Sequence, residues 1–395
     1  MRGFEKLSKR NKIVKQENFV SYIQNFYQYK VSNVEQLKDQ NRIIIKIFEQ
    51  CKQEFLNLIS QIKNMDNIKQ IQIFQYKPVN SAKLFTILQQ NIQTFSNLNT
   101  FETEFQRKFS IRFEEAKLLS MSFKSSIQYL VIKFGQIDQI SYLQIINGFK
   151  NLRDLLEINL KINYTNQLDI NDVYISISAF KNLRKLQLLI NTQYINYERQ
   201  QNLCLTECEY IETSLLEFNQ INSLKQAQKL SSLNLIFNFV DKDLFNRFIN
   251  HHLNYITDIS NLELQIELFD QQTKEFLIFV IQQLRSLKKV IIFMSTIEID
   301  LQSLFQIIEL NSQINTFGLF LYENPIIVKE TPQIKLSNLK NLSIECDLNK
   351  QEDEFNFIKQ LKAIDNLYTL ELMSFENKVK IFKLKRLVKV TYLSI

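Results

Sequence analysis

Few side chains in this protein are of types that do chemistry near neutral pH. There are two histidines, His251 and His252, and four cysteines in 395 residues. A histidine could serve as a general base, a proton carrier or a metal ligand. Neighbouring positions on a helix point in different directions, so this adjacent pair cannot easily share one site. No Ser or Cys nucleophile has a catalytic motif beside it. Cys204 and Cys208 are spaced CxxxC. On a helix that places both thiols on one face, where they could supply two metal ligands. No second Cys/His pair completes a four-ligand set, so buried thiols are the expectation. Asp241/Asp243 and Glu352-Asp353-Glu354 offer carboxylates, but without the glycine and spacing of a calcium loop. Negative charge at helix N-termini explains them better.

Glycine content excludes further classes. The four glycines are Gly3, Gly135, Gly148 and Gly318. No two are close enough to form a phosphate-cradling loop, and no nucleophile elbow is present. No catalytic, cofactor-binding or metal-binding residue is therefore assigned, no cofactor is expected, and the chain reads as a non-enzyme.

Charge is concentrated at the ends. Residues 1–15 carry six basic side chains against Glu5, a net +5. Residues 378–395 carry six with no acid, a net +6, which leaves −4 of the total +7 for everything between. Lys9, Arg10, Lys12, Lys383, Lys385 and Arg386 are thus the candidate anion contacts, for nucleic acid or an anionic surface. Phe382 and Tyr392 interleave with the C-terminal lysines, but no RNP-type motif surrounds them. The acidic body is not the footprint of a basic groove running the length of the molecule.

Four cysteines in so long a chain do not make a disulfide framework. The charged N-terminus lacks an apolar signal region. The longest apolar runs, such as 276–281, are too short to span a bilayer. An intracellular, cytoplasmic setting is the default expectation, with the nucleus left open.

The elements that would carry any site follow from a repeat. One phrase recurs: apolar, two residues, apolar, one residue, apolar. It occurs at Ile127-Leu130-Ile132, Leu155-Ile158-Leu160, Leu183-Leu186-Leu188 and Leu230-Leu233-Leu235. It returns at Ile259-Leu262-Leu264, Leu287-Val290-Ile292, Ile314-Phe317-Leu319, Leu339-Leu342-Ile344, Leu367-Leu370-Leu372 and Leu387-Val390-Tyr392. Successive starts differ by 28, 28, 47, 29, 28, 27, 25, 28 and 20 residues. Six of nine intervals fall within 27–29, where chance matches would scatter. Ile211 could head a degraded repeat inside the long step, although Ser214 spoils its phrase. Between phrases lie segments with helical spacing: 242–256, 271–290 and 352–364. Each unit reads as a strand followed by a helix. Such a unit cannot bury its apolar face alone and must stack on its neighbours.

The phrases "NLRKLQLLIN" (182–191), "KLSSLNLIFN" (229–238) and "LLEINLKIN" (155–163) resemble the LxxLxLxxN core of leucine-rich repeats. The unit length resembles the ribonuclease-inhibitor-like class of that family. The family asparagine is present at Asn163, Asn191 and Asn238. It is replaced at Glu267, Ser295, Tyr322, Asp347 and Phe375. The resemblance implies an α/β solenoid with parallel strands on an inner face and helices on an outer face. It also implies a role in binding, either as a scaffold or as the regulatory repeat region of a multidomain enzyme.

Residues 1–120 fit the repeat poorly. Segments 19–27 and 42–62 read as amphipathic helices. Segment 67–76 resembles the strand phrase and 117–126 does so weakly. The expected organisation is a mostly helical N-terminal cap over 1–120, grading into degenerate repeats. A solenoid over 121–395 follows, with an irregular insertion near 192–229.

Strand side chains alternate between faces, so the inner face can be read from the phrases. Its pairs are Asn159/Lys161, Gln187/Leu189, Asn234/Ile236, Glu263/Gln265, Ile291/Phe293, Gly318/Phe320, Ser343/Glu345 and Glu371/Met373. Leu189, Ile236, Phe293, Phe320 and Met373 form an apolar stripe flanked by Glu263, Glu345 and Glu371. A contiguous exposed apolar patch points to a protein partner. Nucleic acid would require Lys and Arg there.

Overall fold

The structure, a computed structural model, describes residues 20–24, 41–47, 56–57, 60, 67–75, 82–105, 111–165, 170–192, 203, 205–219, 221, 224–237, 240–294, 299–327, 336–347, 361, 364, 366–373 and 389–393. The chain forms two compact units. The first comprises residues 1–155, 162–168 and 191–193; the second comprises 156–161, 169–190 and 194–395.

The first unit holds β1 (Val20–Gln24), β2 (Arg42–Ile47), β3 (Gln70–Gln75), β4 (Thr100–Phe105) and β5 (Tyr129–Gln136), with helices α1 (Ala82–Thr94), α2 (Phe113–Ser122) and α3 (Gln139–Phe149). These strands pair in sequence order and all in parallel. Ile71 and Ile73 lie level with Phe101 and Thr103, and those with Leu130 and Ile132. All six are buried. β6 (Glu157–Thr165) is divided between the units.

The second unit continues with α4 (Ile170–Ile177), β7 (Lys185–Thr192), β8 (Tyr210–Ser214), α5 (Leu215–Phe218), β9 (Ser232–Phe237), α6 (Lys242–His251), β10 (Asn261–Ile266), α7 (Gln271–Gln283) and β11 (Lys289–Met294). It ends with β12 (Ile299–Asp300), α8 (Leu301–Glu309), β13 (Thr316–Ile327), β14 (Asn341–Asp347), β15 (Thr369–Met373) and β16 (Lys389–Leu393). The sheet order is β7-β8-β9-β10-β11-β13-β14-β15-β16, again entirely parallel. The short β12 pairs with the far end of β13. Each unit therefore has parallel strands with helices between them, consistent with a solenoid-like α/β fold. No described helix is long and apolar enough to cross a membrane.

One hydrogen-bond pattern repeats at the strand starts. The carbonyl of Asn41 accepts from the successive amides of Lys69 and Gln70, at 2.8 and 3.1 Å. Lys69 does the same for Asn99 and Thr100, and Asn99 for Gln128 and Tyr129. In the second unit the series runs through Arg184, Glu209, Ser231, Ser260, Lys288, Asn315 and Lys340. Both amides at each start are satisfied by the preceding repeat, which fixes the register before the apolar pair is reached.

Helices cover the face that carries the buried pair. Their phenylalanines touch strand phenylalanines on that side: Phe85 of α1 lies 6.1 Å from Phe105, Phe276 of α7 lies 5.7 Å from Phe237, and Phe305 of α8 lies 6.2 Å from Phe317. Helices also stack on one another through Phe218, Phe248 and Phe276. Three of the described helices begin at an aspartate. Asp138, Asp241 and Asp270 accept the amides of Ser141, Leu244 and Thr273 at 2.7–2.8 Å, as N-caps do. The carboxylate of Asp241 is thus a cap, whereas Glu352, Asp353 and Glu354 lie outside the described residues.

Several expectations are corrected. The described parts of 19–27 and 42–62 include strands β1 and β2 where the spacing predicts helices. Ile43, Ile44 and Ile45 are β-branched, which stiffens them for an extended backbone, and pairing with β3 satisfies their ladder. Residues 117–126 are not a strand phrase, since 113–122 form α2. The missing strand is β4, "TFETEF", in which Thr103 takes the place of the usual aliphatic residue at zero exposure. Within 192–229, β8 is a further repeat strand. Ile211 lies level with Leu186 and Leu233, so it is the second apolar position and Cys208 is the head. The long step is two short ones.

Gly148 on α3 sits against α2. A Cβ there would lie 2.7 Å from both the Phe123 ring and the Ser120 carbonyl oxygen. Backbone cannot yield that distance cheaply. Gly148→Ala should destabilise the protein by about 1–3 kcal/mol, read as a lower midpoint in urea unfolding; an unchanged midpoint would show that the two helices separate freely.

Candidate functional site

The face opposite the helices carries the residues that alternate with the buried pair. In the second unit the cross-strand register aligns Gln187, Glu212, Asn234, Glu263, Ile291, Gly318, Ser343 and Glu371 in one row. A second row runs Ser214, Ile236, Gln265, Phe293, Phe320, Glu345 and Met373. Leu189 is on β7, one residue past Leu188, which lies level with Thr213. Neighbouring strands are about 4.8 Å apart, so members of a row are within side-chain reach.

The expected stripe residues divide as follows. Leu189, Ile236, Phe293 and Phe320 are each partly exposed. Phe293 and Phe320 are direct neighbours, stacked with ring centres 4.8 Å apart and planes 18° from parallel. Ile236 is two strands from Phe293, with Gln265 between them. Glu345 and Met373 occupy the same row by backbone register, but their side chains lie outside the described set. Glu371 accepts a hydrogen bond from the Ser343 hydroxyl at 3.1 Å. Lys9, Arg10, Lys12, Lys383, Lys385 and Arg386 all lie outside the described residues.

Gly318 has a specific use here. A Cβ on it would approach the Phe320 ring to 3.0 Å and Ile291 to 3.4 Å. Its missing side chain lets the Phe320 ring lean back over the backbone while still stacking on Phe293.

Beside the aromatic pair lies a polar network. The Gln187 amide and the Tyr210 hydroxyl both donate to Glu212 Oε2, at 2.5 and 2.8 Å. Asn234 Nδ2 donates to Glu263 Oε1 at 3.1 Å. Lys185 Nζ sits 5.0 Å from the centre of the Tyr210 ring, a cation–π distance. Burial, and then the bond to Glu212, pushes the Tyr210 phenol above its ordinary range. Burial also pushes the Glu263 carboxyl up, aided by the charge of Glu212 and opposed by Lys289.

Alternation along the sequence puts Glu263 on this face but misses Glu212 and Tyr210. Their strand is obscured because Cys208 and Thr213 fill positions normally held by Leu or Ile. Counting small buried Cys and Thr as members of the phrase would reveal it.

The reactive side chains lie elsewhere. Cys208 is fully buried, and burial pushes its thiol up to about 12. It lies just ahead of β8 rather than on a helix, so the one-face CxxxC geometry does not hold; Cys204 is outside the described residues. His252 is 2% exposed, with its ring 5.2 Å from Phe218 and 6.5 Å from Phe248. The described residues contain no cluster of three or more His, Cys, Asp or Glu able to hold a metal.

No protein-family model matches this chain, and no curated protein matches it at a significant level.

Burial lowers the His252 imidazole from 6.5 to about 4, with the Asn219 backbone opposing and His251 reinforcing. The folded state then binds this proton less readily than the unfolded state. Its contribution is present in full above the unfolded value and is lost as pH falls from about 6.5 toward 4, by at most about 3 kcal/mol. Urea stability of the wild type should therefore decline faster over that interval than that of His252→Leu. Parallel curves would mean that the imidazole is not held neutral.

Proposed function

We propose that the chain is a non-enzymatic interaction scaffold of the leucine-rich-repeat type, in its ribonuclease-inhibitor-like class. Its partner is a protein, seated on the helix-free face of the second unit's sheet. The observation that carries this reading is the Phe293–Phe320 stack, partly exposed on a regular sheet face with Ile236 and Ile291 nearby. Large apolar side chains left at a sheet surface without a covering helix are characteristic of interface centres.

Chemistry on either side of the stack favours protein over nucleic acid. The row beside it carries Glu212, Glu263 and Glu371, and a phosphate backbone would be repelled there. His252 and Cys208 serve the core, which supports a binding role over a catalytic one. Four cysteines in 395 residues suit a reducing compartment, so we place the protein inside the cell.

The double variant Phe293→Ser/Phe320→Ser removes the stack from the surface of an otherwise intact strand pair. Its hydrogen-exchange protection in β11 and β13 should stay near that of the wild type. Affinity capture followed by mass spectrometry should lose the proteins that the wild type retains. Equal recovery by both forms would overturn the proposal.

A further inference from the structure

The two units treat acids on the helix-free face differently. In the first, Glu104 pairs with Lys133 at 3.1 Å. Glu102 accepts from Gln72, which in turn accepts from Arg42, so that acid is linked to a cation through one amide. In the second, Glu212 and Glu263 meet only neutral donors: Gln187, Tyr210, Asn234 and Gln265. Among the described residues no Lys or Arg lies within 4.0 Å of either carboxylate; the described ion pairs are Lys133–Glu104 and Lys229–Glu207. Lys185 is engaged by the Tyr210 ring, and Lys289 acts on Glu263 only through space.

Between these two acids sits Asn234, 2% exposed. The register places it directly beside both, Glu212 on one side and Glu263 on the other. Its Nδ2 is used on Glu263, while its Oδ1 is buried with no hydrogen-bond donor. An orphaned buried acceptor costs about 1–3 kcal/mol. The two half-buried carboxylates flanking it add repulsion that Lys289 offsets only at a distance, without an ion pair. The row is thus short of positive charge and short of one donor, at the same place.

We propose that the Glu212–Asn234–Glu263 row is a receptor for one lysine or arginine side chain of the protein partner, positioned so that an apolar residue of the same partner segment seats on Phe293 and Phe320. This deepens the scaffold reading and rests on it. The two subsites are about two strands apart and two residues apart along the strands, roughly 12 Å. In an extended segment that corresponds to a cation and an apolar residue three or four positions apart, at about 3.3 Å per residue. A side-chain cation fits better than a metal ion, because the described residues bring no third His, Cys, Asp or Glu to the two carboxylates and the amide. The Asn234 Oδ1 is covered in the free protein. A neighbouring side chain must turn aside for the incoming donor.

The probe is a displayed library of random peptides selected against the full chain. Peptides should be enriched in Lys or Arg three or four positions from Leu, Phe or Met. Their affinity should fall about tenfold or more in Glu212→Gln/Glu263→Gln, a change that keeps the shape and one acceptor oxygen of each side chain and removes the charge. Phe293→Ser/Phe320→Ser should weaken the same peptides independently. Binding should also drive the Glu263 carboxyl down toward the ordinary range, followed by carbon NMR.

Enrichment without basic residues, or affinity indifferent to the double Gln variant, overturns the cation receptor. If such peptides still depend on Phe293 and Phe320, the scaffold reading stands without it. If no selected peptide depends on either pair, both fall.

Discussion

A parallel strand with one apolar face has no stable state by itself. Its backbone groups point sideways, with nothing to pair them, and its greasy side is only as wide as one strand. Everything in this molecule follows from supplying both needs in one step. The carbonyl that accepts two successive amides at each strand start aligns the next strand. That alignment places the apolar pair of one repeat level with the pair of the next. Ile and Leu then meet side by side, while helices close the back through phenylalanine contacts. Because each strand is held by its neighbours, substitutions such as Thr103 and Thr213 survive in the buried row at zero exposure.

The same constraint creates the helix-free face. If alternate positions must be apolar to stack, the positions between them are left to vary. They vary in a structured way. Along the first unit the acids find cations or chains of donors leading to one. Along the second they lie among neutral donors, and next to them the surface turns aromatic. Gly318 marks the change. It is the one position in its row without a side chain, and the Phe320 ring uses the space. A face that is regular in backbone and uneven in chemistry is what selective recognition of an extended segment needs.

The legible part of the fold is the part that repeats. Leu262 and Leu264 announce a strand because their spacing recurs one interval later at Val290 and Ile292. The illegible strands are those whose apolar positions have been replaced. "TFETEF" alternates perfectly, but Thr103 breaks the aliphatic phrase. Cys208 and Thr213 hide β8 in the same way. The run of isoleucines in 42–47 suits a helix face as well as a strand. Periodicity over so few residues does not separate a buried strand from a buried helix, and the ladder to β3 decides it.

By itself the sequence determined, in the strands whose aliphatic phrase recurs, which residues face the core and which face outward, because that is a local matter of a two-residue period. The same period puts Phe293 and Phe320 on the outer row. It did not determine who stands next to whom across strands where the repeat is irregular. Glu212, Asn234 and Glu263 come together only because the short β8 repeat stacks in register with its neighbours. Whether an acid there meets a cation, or an amide oxygen is left without a donor, depends on side chains contributed by three different strands. Those are properties of a two-dimensional surface, and a one-dimensional pattern carries them only when every repeat has the same length.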